Sequence, residues 1–259
     1  MGYETLRTER RGDVALITIS RPEALNAISN ATSGELSRAL DEADADPQVA
    51  VIVLTGVGTT AFCAGADLKE VAAGIPTLSG PGGFAGIVRR TLVKPVIAAV
   101  NGLALGGGAE IAFACDLIVA ADTARFALPE VKRGVLASGG GLLRLPRQIP
   151  LKIAMELALT GEPITAQEAA RWGLVNRVVP RARVVEEALE LAATIARNAP
   201  LSVRATKVVI TQGLDRPLEG AGSAWDVNEA ADRAVLASDD AAEGPRAFVE
   251  KREPRWRGR

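Results

Sequence analysis

The sequence predicts an α/β fold, because short apolar segments and helical segments alternate through most of the chain. Several apolar segments are continuous runs of Val, Ile, Leu and Ala, as expected for parallel strands covered on both faces. Alternation of this kind favours helices packed on a mainly parallel sheet. The chain has 259 residues, 48% of them hydrophobic, so it can bury a large core. Only 3% are aromatic, and we therefore expect an aliphatic core.

The first predicted strand and helix lie near the amino terminus. Residues 14–20 are rich in β-branched side chains, which predicts a strand, and Pro22 ends it because proline disfavours continued pairing. A helical pattern follows, in which Leu36 and Leu40 are four residues apart and share one face. Pro47 ends that helix.

Three further strands are predicted at residues 50–56, 96–100 and 117–121, each a nearly continuous apolar run. Residues 74–86 lie between the first two of these and are rich in Gly, Pro, Ser and Thr. Such a composition is typical of a mobile loop or of a plain surface connection.

The last third of the chain has a different character, with helical periodicity and no convincing strand. The predicted helices are residues 184–197, 201–212 and 221–236. Pro200 marks a plausible boundary between two parts of the chain. We therefore predict a core domain over residues 1–199 and a helical section over residues 200–259.

Charge and cysteine content exclude several classes of protein. Thirty Lys and Arg balance 31 Asp and Glu, for a net charge of −1, so no global field favours nucleic acid or anionic lipid. The first residues are charged, which is unlike a secretory signal. The sequence has no run of about 18 apolar residues, so a membrane-spanning helix is not expected. Cys63 and Cys115 lie far apart, which suits a reduced compartment. We expect a cytoplasmic protein.

The chain contains no histidine. This absence excludes a Ser-His-Asp or Cys-His nucleophile and every His-ligated zinc site. Two cysteines are too few for a Cys₄ metal site, so no metal is expected. Acid–base chemistry must then fall to carboxylates, or less readily to Lys, Tyr or Cys.

The most informative motif is LALGGGAE, residues 103–110, at a predicted strand-to-helix junction. Three glycines let a ligand approach the main chain, because they carry no Cβ atoms. The first N–H groups of a helix lack intrahelical partners and attract negative charge. The motif therefore suits polarisation of a carbonyl beside an acid or base, Glu110. The alternative is a glycine-rich packing turn whose Glu110 merely suits a helix start.

Two other segments carry similar chemistry. Residues 61–70 contain the small residues Ala64-Gly65-Ala66 after a buried strand, so their N–H groups are also accessible. Two such backbone sites make a two-donor oxyanion hole conceivable. In residues 126–134, Glu130 follows a proline in an otherwise apolar stretch. Taken alone, a glutamate there is more typical of a solvated turn or helix start.

Together these segments resemble the enoyl-CoA hydratase/isomerase (crotonase) family over nearly the whole chain. The blocks that carry the resemblance are residues 21–27, 62–69, 101–110, 115–117, 126–134, 169–176 and 248–252. So many ordered blocks are specific, whereas three glycines alone would not be. A dinucleotide-binding loop is disfavoured, because Ile111 stands where the last glycine of G-x-G-x-x-G belongs.

The resemblance implies a crotonase-like spiral of repeated β-β-α units, followed by C-terminal helices used in trimer assembly. A homotrimer or a dimer of trimers is expected, with an acyl-CoA thioester as substrate and no separate cofactor. By motif, the N–H groups of Ala66 and Gly107 form the oxyanion hole that holds the thioester oxygen. The residues implied to bind the substrate along the CoA channel are Ala24, Leu25, Ala64, Asp67, Leu68 and Lys69.

The two glutamates decide which reaction the resemblance implies. Hydratases of this family carry one glutamate after the triple glycine and one after the proline, and both are present as Glu110 and Glu130. The implied activity is an enoyl-CoA hydratase of fatty acid β-oxidation, converting trans-2-enoyl-CoA to 3-hydroxyacyl-CoA. Glu110 would activate the water and Glu130 would act as the acid. This division of roles is left open by the sequence.

Alternatives within the same fold are a Δ3,Δ2-enoyl-CoA isomerase, another CoA-thioester enzyme, and a non-catalytic acyl-CoA-binding homologue. One segment departs from the family pattern, since residues 135–141 read VLASGGG where hydratases tend to carry Pro-Gly-Ala-Gly-Gly. That segment lies near the acyl pocket in the family. The sequence therefore leaves open the acyl chain length, the pathway, and the choice between trimer and hexamer.

Overall fold

The computed structural model describes residues 2–75 and 80–259. The strands are β1 Leu6–Arg11, β2 Val14–Ile19, β3 Val51–Gly56, β4 Ala61–Cys63, β5 Val96–Val100, β6 Leu103–Leu105, β7 Leu117–Ala121, β8 Arg125–Ala127, β9 Ile164–Thr165 and β10 Arg177–Val179. The helices are α1 Asn30–Ala45, α2 Leu68–Ala72, α3 Gly107–Ala114, α4 Gly141–Gln148, α5 Leu151–Thr160, α6 Ala166–Arg171, α7 Val184–Ala196, α8 Pro200–Gly213, α9 Ala224–Leu236 and α10 Asp239–Val249. Short 3₁₀ helices lie at Pro22–Ala24, Pro129–Arg133 and Arg181–Arg183.

A six-stranded sheet in the order β1-β2-β3-β5-β7-β10 forms the centre of the core. Its strands are parallel except for β1, which is antiparallel to β2. Every residue of β3 and β5 is buried, as expected for strands covered on both faces. Helix α7 packs against β2, β3, β5 and β7, and α1 packs against β1 and β2.

A second sheet has the order β4-β6-β8-β9. The strands β4, β6 and β8 are parallel, whereas β9 is antiparallel to β8. Each unit of the spiral supplies a long strand to the first sheet and a short strand to the second, and then begins a helix. The units are β3-β4-α2, β5-β6-α3, and β7-β8 followed by the 3₁₀ helix Pro129–Arg133. The expected repeated β-β-α architecture is therefore confirmed.

The four predicted strands are all present, as β2, β3, β5 and β7. The prediction of a mobile or surface loop over residues 74–86 needs correction in its second half. Phe84 and Ala85 are buried there, because they pack into the hydrophobic core with Ile87 and Val88. Residues 76–79 of that predicted loop lie outside the described residues.

The C-terminal part is helical, as predicted, and α8 begins at Pro200. Helices α8 and α9 pack against each other, while α7 belongs to the sheet core. The division into domains at residue 199 stays a prediction. Among the described residues, no helix combines the length and the apolar character that crossing a membrane requires.

Candidate active site

Three successive units bring their strand ends to one edge of the second sheet. Because β4, β6 and β8 are parallel, their carboxyl ends meet at the same edge. Three turns follow there: Ala64-Gly65-Ala66 after β4, Gly106 after β6, and Leu128 after β8. Each turn leads directly into a helix. The three motifs singled out in the sequence are thus neighbours in space.

Two backbone amides at this edge are available to a ligand. Ile28 donates to the Gly65 carbonyl at 2.8 Å and accepts from Asp67 at 2.9 Å, so the N–H of Ala66 points away from this bridge. Gly107 is the first residue of α3, where an N–H has no intrahelical acceptor. Within the described part of the chain, neither amide donates to a protein acceptor. Gly65 itself lies against Gly107, since a β-carbon on Gly65 would be 3.2 Å from the Gly107 nitrogen.

Close packing and backbone conformation require glycine at each of the three positions 106–108. Gly106 has φ 55° and ψ −124°, a backbone conformation that disfavours other residues. A β-carbon on Gly107 would lie 2.4 Å from the Phe84 ring, and one on Gly108 would lie 1.9 Å from the Cys63 carbonyl oxygen. The packing role and the role in exposing amides therefore coexist in this turn.

Glu110 lies in the first turn of α3 and is only 4% exposed. Its Oε1 accepts a hydrogen bond from the Gly141 N–H at 2.9 Å. Burial raises the pKa of Glu110 above its ordinary value, and the Glu130 carboxylate adds to the rise. The N–H groups of Gly141 and Gly139 and the guanidinium of Arg144 act in the opposite direction on that pKa.

Glu130 approaches the glycine turn from the 3₁₀ helix Pro129–Arg133. A β-carbon on Gly106 would lie 2.8 Å from Oε1 of Glu130, so this carboxylate is packed against the residue that precedes Gly107. Its Oε2 is buried and has no hydrogen-bond partner among the residues described. Burial raises the pKa of Glu130, which keeps its proton more readily than an exposed glutamate.

The predicted catalytic and oxyanion residues are therefore brought together. Glu110 and Gly107 share the start of α3, Glu130 packs on Gly106, and Ala66 lies in the adjoining turn. The carboxyl groups, whose ionised forms are disfavoured by burial, lie beside the two amides that have no protein acceptor. Such a group of residues can polarise an acyl oxygen and move protons beside it.

The predicted substrate-binding residues of the first two turns are also in contact. The N–H of Ala64 donates to the Leu25 carbonyl at 3.1 Å. Leu25 has φ 52° and a side chain that is 41% exposed, and Ala24 precedes it in the 3₁₀ helix Pro22–Ala24. This turn therefore borders the edge that carries Ala66.

Asp67 is occupied by contacts within the protein. Its Oδ2 binds the Arg21 guanidinium at 2.8 Å, and its Oδ1 accepts the Lys69 N–H at 3.1 Å, which caps α2. The hydrogen bond from Arg21 is the main reason that the pKa of Asp67 is lowered. Leu68 and Lys69 are exposed in the first turn of α2. Asp67 can thus orient α2, whereas the next two residues offer side chains to solvent.

Several residues at the site were not predicted from the sequence. Gly139 and Gly141 surround the Glu110 carboxylate, and Phe84 packs on Gly107. Arg144 acts electrostatically on Glu110 from α4. The run of three glycines at 139–141 was the available signal, because glycine is favoured where a side chain approaches the backbone closely.

In the unusual segment 135–141, some residues are exposed to solvent and others lie against the candidate site. Val135, Leu136 and Ser138 are exposed, while Gly139 and Gly141 are buried against Glu110. No group of three or more potential metal ligands occurs among the described residues.

Comparison with known proteins identifies related sequences and structures. The family model "Enoyl-CoA hydratase/isomerase" matches residues 9–259. A carnitinyl-CoA dehydratase of Escherichia coli K12 is 46% identical over 260 residues, covering 99% of each chain. Among solved structures, an enoyl-CoA hydratase from Mycobacterium tuberculosis H37Rv is 45% identical, with a TM-score of 0.94 and coverage of 98% and 99%. A carnitinyl-CoA hydratase from Mycobacterium avium is 49% identical, with a TM-score of 0.78 and coverage of 98% and 99%.

Proposed function

Because this chain belongs to the enoyl-CoA hydratase/isomerase family, we propose that it is an enoyl-CoA hydratase. This hydro-lyase would add water reversibly to a trans-2-enoyl-CoA and give a 3-hydroxyacyl-CoA. The observation that carries the proposal is the pair Glu110 and Glu130 at one sheet edge, with Glu130 packed against Gly106 beside the free Gly107 amide.

The proposed mechanism assigns each group one task. The N–H groups of Ala66 and Gly107 donate to the thioester oxygen and stabilise the enolate as it forms. One glutamate takes a proton from water while the water oxygen bonds to C3. The other glutamate, protonated, delivers its proton to C2. Product release leaves one carboxyl protonated and one ionised, and proton exchange with solvent restores the starting arrangement.

The surroundings of the two carboxyl groups favour Glu110 as the base and Glu130 as the acid. The Gly141 N–H and Arg144 stabilise the ionised form of Glu110. Together they offset part of the rise in pKa that burial causes. For Glu130, burial is the largest effect and favours the protonated form, while its own backbone N–H and Arg133 act in the opposite direction. Its Oε2 has no hydrogen-bond partner among the described residues. A base must be ionised and an acid protonated in the free enzyme.

The CoA portion is proposed to lie across the turns that precede the site. Ala24, Leu25 and Ala64 form a contacting wall there, and Leu68 and Lys69 project from the first turn of α2. Asp67 would contribute by fixing α2 through Arg21. The predicted acyl-CoA partner thus meets mainly backbone and exposed side chains outside the acyl pocket.

Carnitinyl-CoA is the second candidate substrate, since relatives bear that name. Its trimethylammonium group would be recognised by aromatic faces. All aromatic residues of this chain lie in the described part, and Phe84 is the one that packs on the Gly107 turn. Phe62, Phe113 and Phe126 are fully buried in the core. Of these four phenylalanines, Phe84 alone contacts the turn, and one ring is not an aromatic cage, so we favour an uncharged enoyl group.

Replacement of each glutamate tests the proposed chemistry. Glu110→Gln and Glu130→Gln each remove a proton-transfer group while retaining similar shape, so each should lower kcat for crotonyl-CoA hydration by about 10²–10⁴-fold. The measurement is the loss of conjugated thioester absorbance. Glu156→Gln, an exposed carboxylate of α5, is the matched control and should keep full activity. Near-wild-type rates in both test variants would remove the proposal.

A substrate panel with product masses separates the remaining candidates. We expect 3-hydroxyacyl-CoA from trans-2-enoyl-CoA and a lower kcat/KM for dehydration of carnitinyl-CoA. A mass gain of one water excludes isomerisation, which leaves the mass unchanged. Turnover of Δ3-enoyl-CoA alone would favour an isomerase, and binding without turnover would favour a non-catalytic homologue.

A further inference from the structure

The amino terminus of α4 holds the Glu110 carboxylate in place. The Gly141 N–H donates to Oε1 of Glu110, and a β-carbon on Gly139 would lie only 2.4 Å from Oε2. Gly140 between them has φ 96°, a left-handed conformation. Three glycines in succession make an adaptable backbone, so something else must fix this turn.

Arg144 of α4 contacts that turn directly. A β-carbon on Gly140 would lie 2.4 Å from Nη1 of Arg144, so the guanidinium covers Gly140. The Arg144 backbone N–H also donates to the Gly140 carbonyl at 2.9 Å. Arg144 therefore packs over the turn from within its own helix.

The other end of the guanidinium is bound to a separate segment. Nη2 of Arg144 donates to the carbonyl of Val88, which is buried. The Val88 N–H in turn donates to the Phe84 carbonyl. Phe84 packs against Gly107, one of the two amides assigned to the oxyanion hole. Arg144 thus connects the support of Glu110 to the wall beside Gly107.

We propose that Arg144 is a positioning residue for Glu110. Its guanidinium fastens the amino terminus of α4 to residues 84–88, and this fixes the amides that hold the carboxylate. The kinetic part of the argument rests on the proposed hydratase function. Arg144 would act through the turn and the charge it presents, without touching substrate.

The charges around Glu110 agree with this role. Glu130 opposes ionisation of Glu110, whereas Arg144 favours it and the two glycine N–H groups assist. Cys115, at the end of α3, is buried near Arg144, and burial keeps its thiol neutral by raising its pKa. Arg144 is therefore the cation that supports an ionised Glu110.

Kinetics of Arg144→Met and Arg144→Lys give the first test. We expect Arg144→Met to lower kcat by about ten- to a hundredfold with little change in KM, because a misplaced carboxylate transfers protons poorly. The acid limb of the kcat/KM profile should move to higher pH. In Arg144→Lys the acid limb should lie between those of wild type and Arg144→Met. Lysine keeps the positive charge but lacks the planar guanidinium with its several N–H donors. Arg147→Met, an exposed arginine on the same helix, is the control and should match wild type.

Infrared titration gives a second test that needs no turnover. The stretching band of protonated carboxyl groups is followed with pH, and the Glu110 component is assigned by its loss in Glu110→Gln. The pH midpoint of the Glu110 titration should rise in Arg144→Met and stay unchanged in Arg147→Met. An unchanged midpoint and profile in a folded Arg144→Met protein, or equal loss of kcat in the Lys and Met variants without any pH shift, would overturn the proposal. An inactive wild type would instead overturn the proposed hydration while leaving the infrared result decisive for Arg144.

Discussion

Glu110 and Glu130 have the same side chain, but they lie in different surroundings. Both are buried enough to raise the pKa. Glu110 receives a hydrogen bond from Gly141, whereas Oε2 of Glu130 has no partner among the residues described. Burial of a carboxyl oxygen that has no hydrogen-bond donor favours the protonated form.

A bell-shaped dependence of kcat/KM on pH follows from this difference. Activity should fall at low pH as Glu110 becomes protonated and at high pH as Glu130 becomes ionised. Because burial raises both pKa values, the acid limb should lie above the ordinary range of glutamate. The two limbs belong to the coupled pair and not to separate residues. Crotonyl-CoA kinetics across pH provide the measurement, and a flat profile would contradict the expectation.

Stability should also depend on Glu130 in a predictable direction. Its raised folded-state pKa means that this carboxyl stabilises the fold below its unfolded pKa, and that this contribution is lost as pH rises through the folded pKa. Glu130→Gln should therefore raise the free energy of unfolding relative to wild type at neutral pH. The difference should shrink in acid. Urea unfolding at both pH values measures it, with Glu156→Gln as the control, and a difference that grows in acid would refute it.

At the scale of elements, the sequence predicted the four apolar long strands and missed the short strands and the polar strand β1. The runs that became β3 and β5 are almost entirely apolar, so burial on both faces was visible in the sequence. Strands β4 and β6 have three residues each, too few for a periodic pattern. Strand β1 exposes five of its six residues at the sheet edge and is polar, which conceals it.

The sequence could indicate candidate site residues where a motif contains them, but not where folding brings a distant segment into contact. Glu110 and Glu130 were identified by their motifs. The contact of Glu110 with Gly141 joins residues 31 positions apart and depends on how α4 packs against α3. Local patterns contain no information on such a contact.

The turn before α4 provides a test at the element scale. Gly139 lies outside the left-handed region, so alanine is compatible with its backbone. Its β-carbon would lie 2.4 Å from Oε2 of Glu110, and the carboxylate must move. We expect Gly139→Ala to lower kcat by about tenfold or more, because small misplacements of catalytic groups are costly.

A matched glycine replacement provides the control for that experiment. A β-carbon on Gly34 in α1 would meet no atom within 4 Å apart from its chain neighbours and the backbone of its own helix. Gly34→Ala should keep the activity and add about 0.5–1 kcal/mol of stability, since it removes a glycine from a helix interior. In the background of Glu110→Gln, the Gly139→Ala change should have little further effect. Full additivity of the two changes would show that Gly139 acts elsewhere.

For the whole molecule, the exposed apolar side chains of the last helices are the main unexplained feature. Ile210, Leu214, Trp225, Leu236 and Phe248 are between 56% and 85% exposed. Apolar surface of this kind marks interaction sites on soluble proteins. We propose that copies of this chain cover it in a homotrimer or a dimer of trimers.

Light scattering after size-exclusion chromatography tests the assembly. The native mass should be three or six times the 26.9 kDa of one chain. Leu236→Glu should reduce that mass, because a buried unpaired carboxylate is strongly unfavourable at an interface. A monomeric wild type would contradict the proposal.

The candidate reacting groups follow three different strands, β4, β6 and β8, and this arrangement affects how the reaction of such a protein can evolve. The amides proposed to polarise the thioester follow the first two strands, and Glu130 follows the third. Mutations in the turn after β8 can therefore alter which atom receives a proton while the polarising amides stay in place. If the proposed function holds, a descendant of this chain could acquire a different reaction by changes in a single turn, while the amides that bind the thioester oxygen are retained.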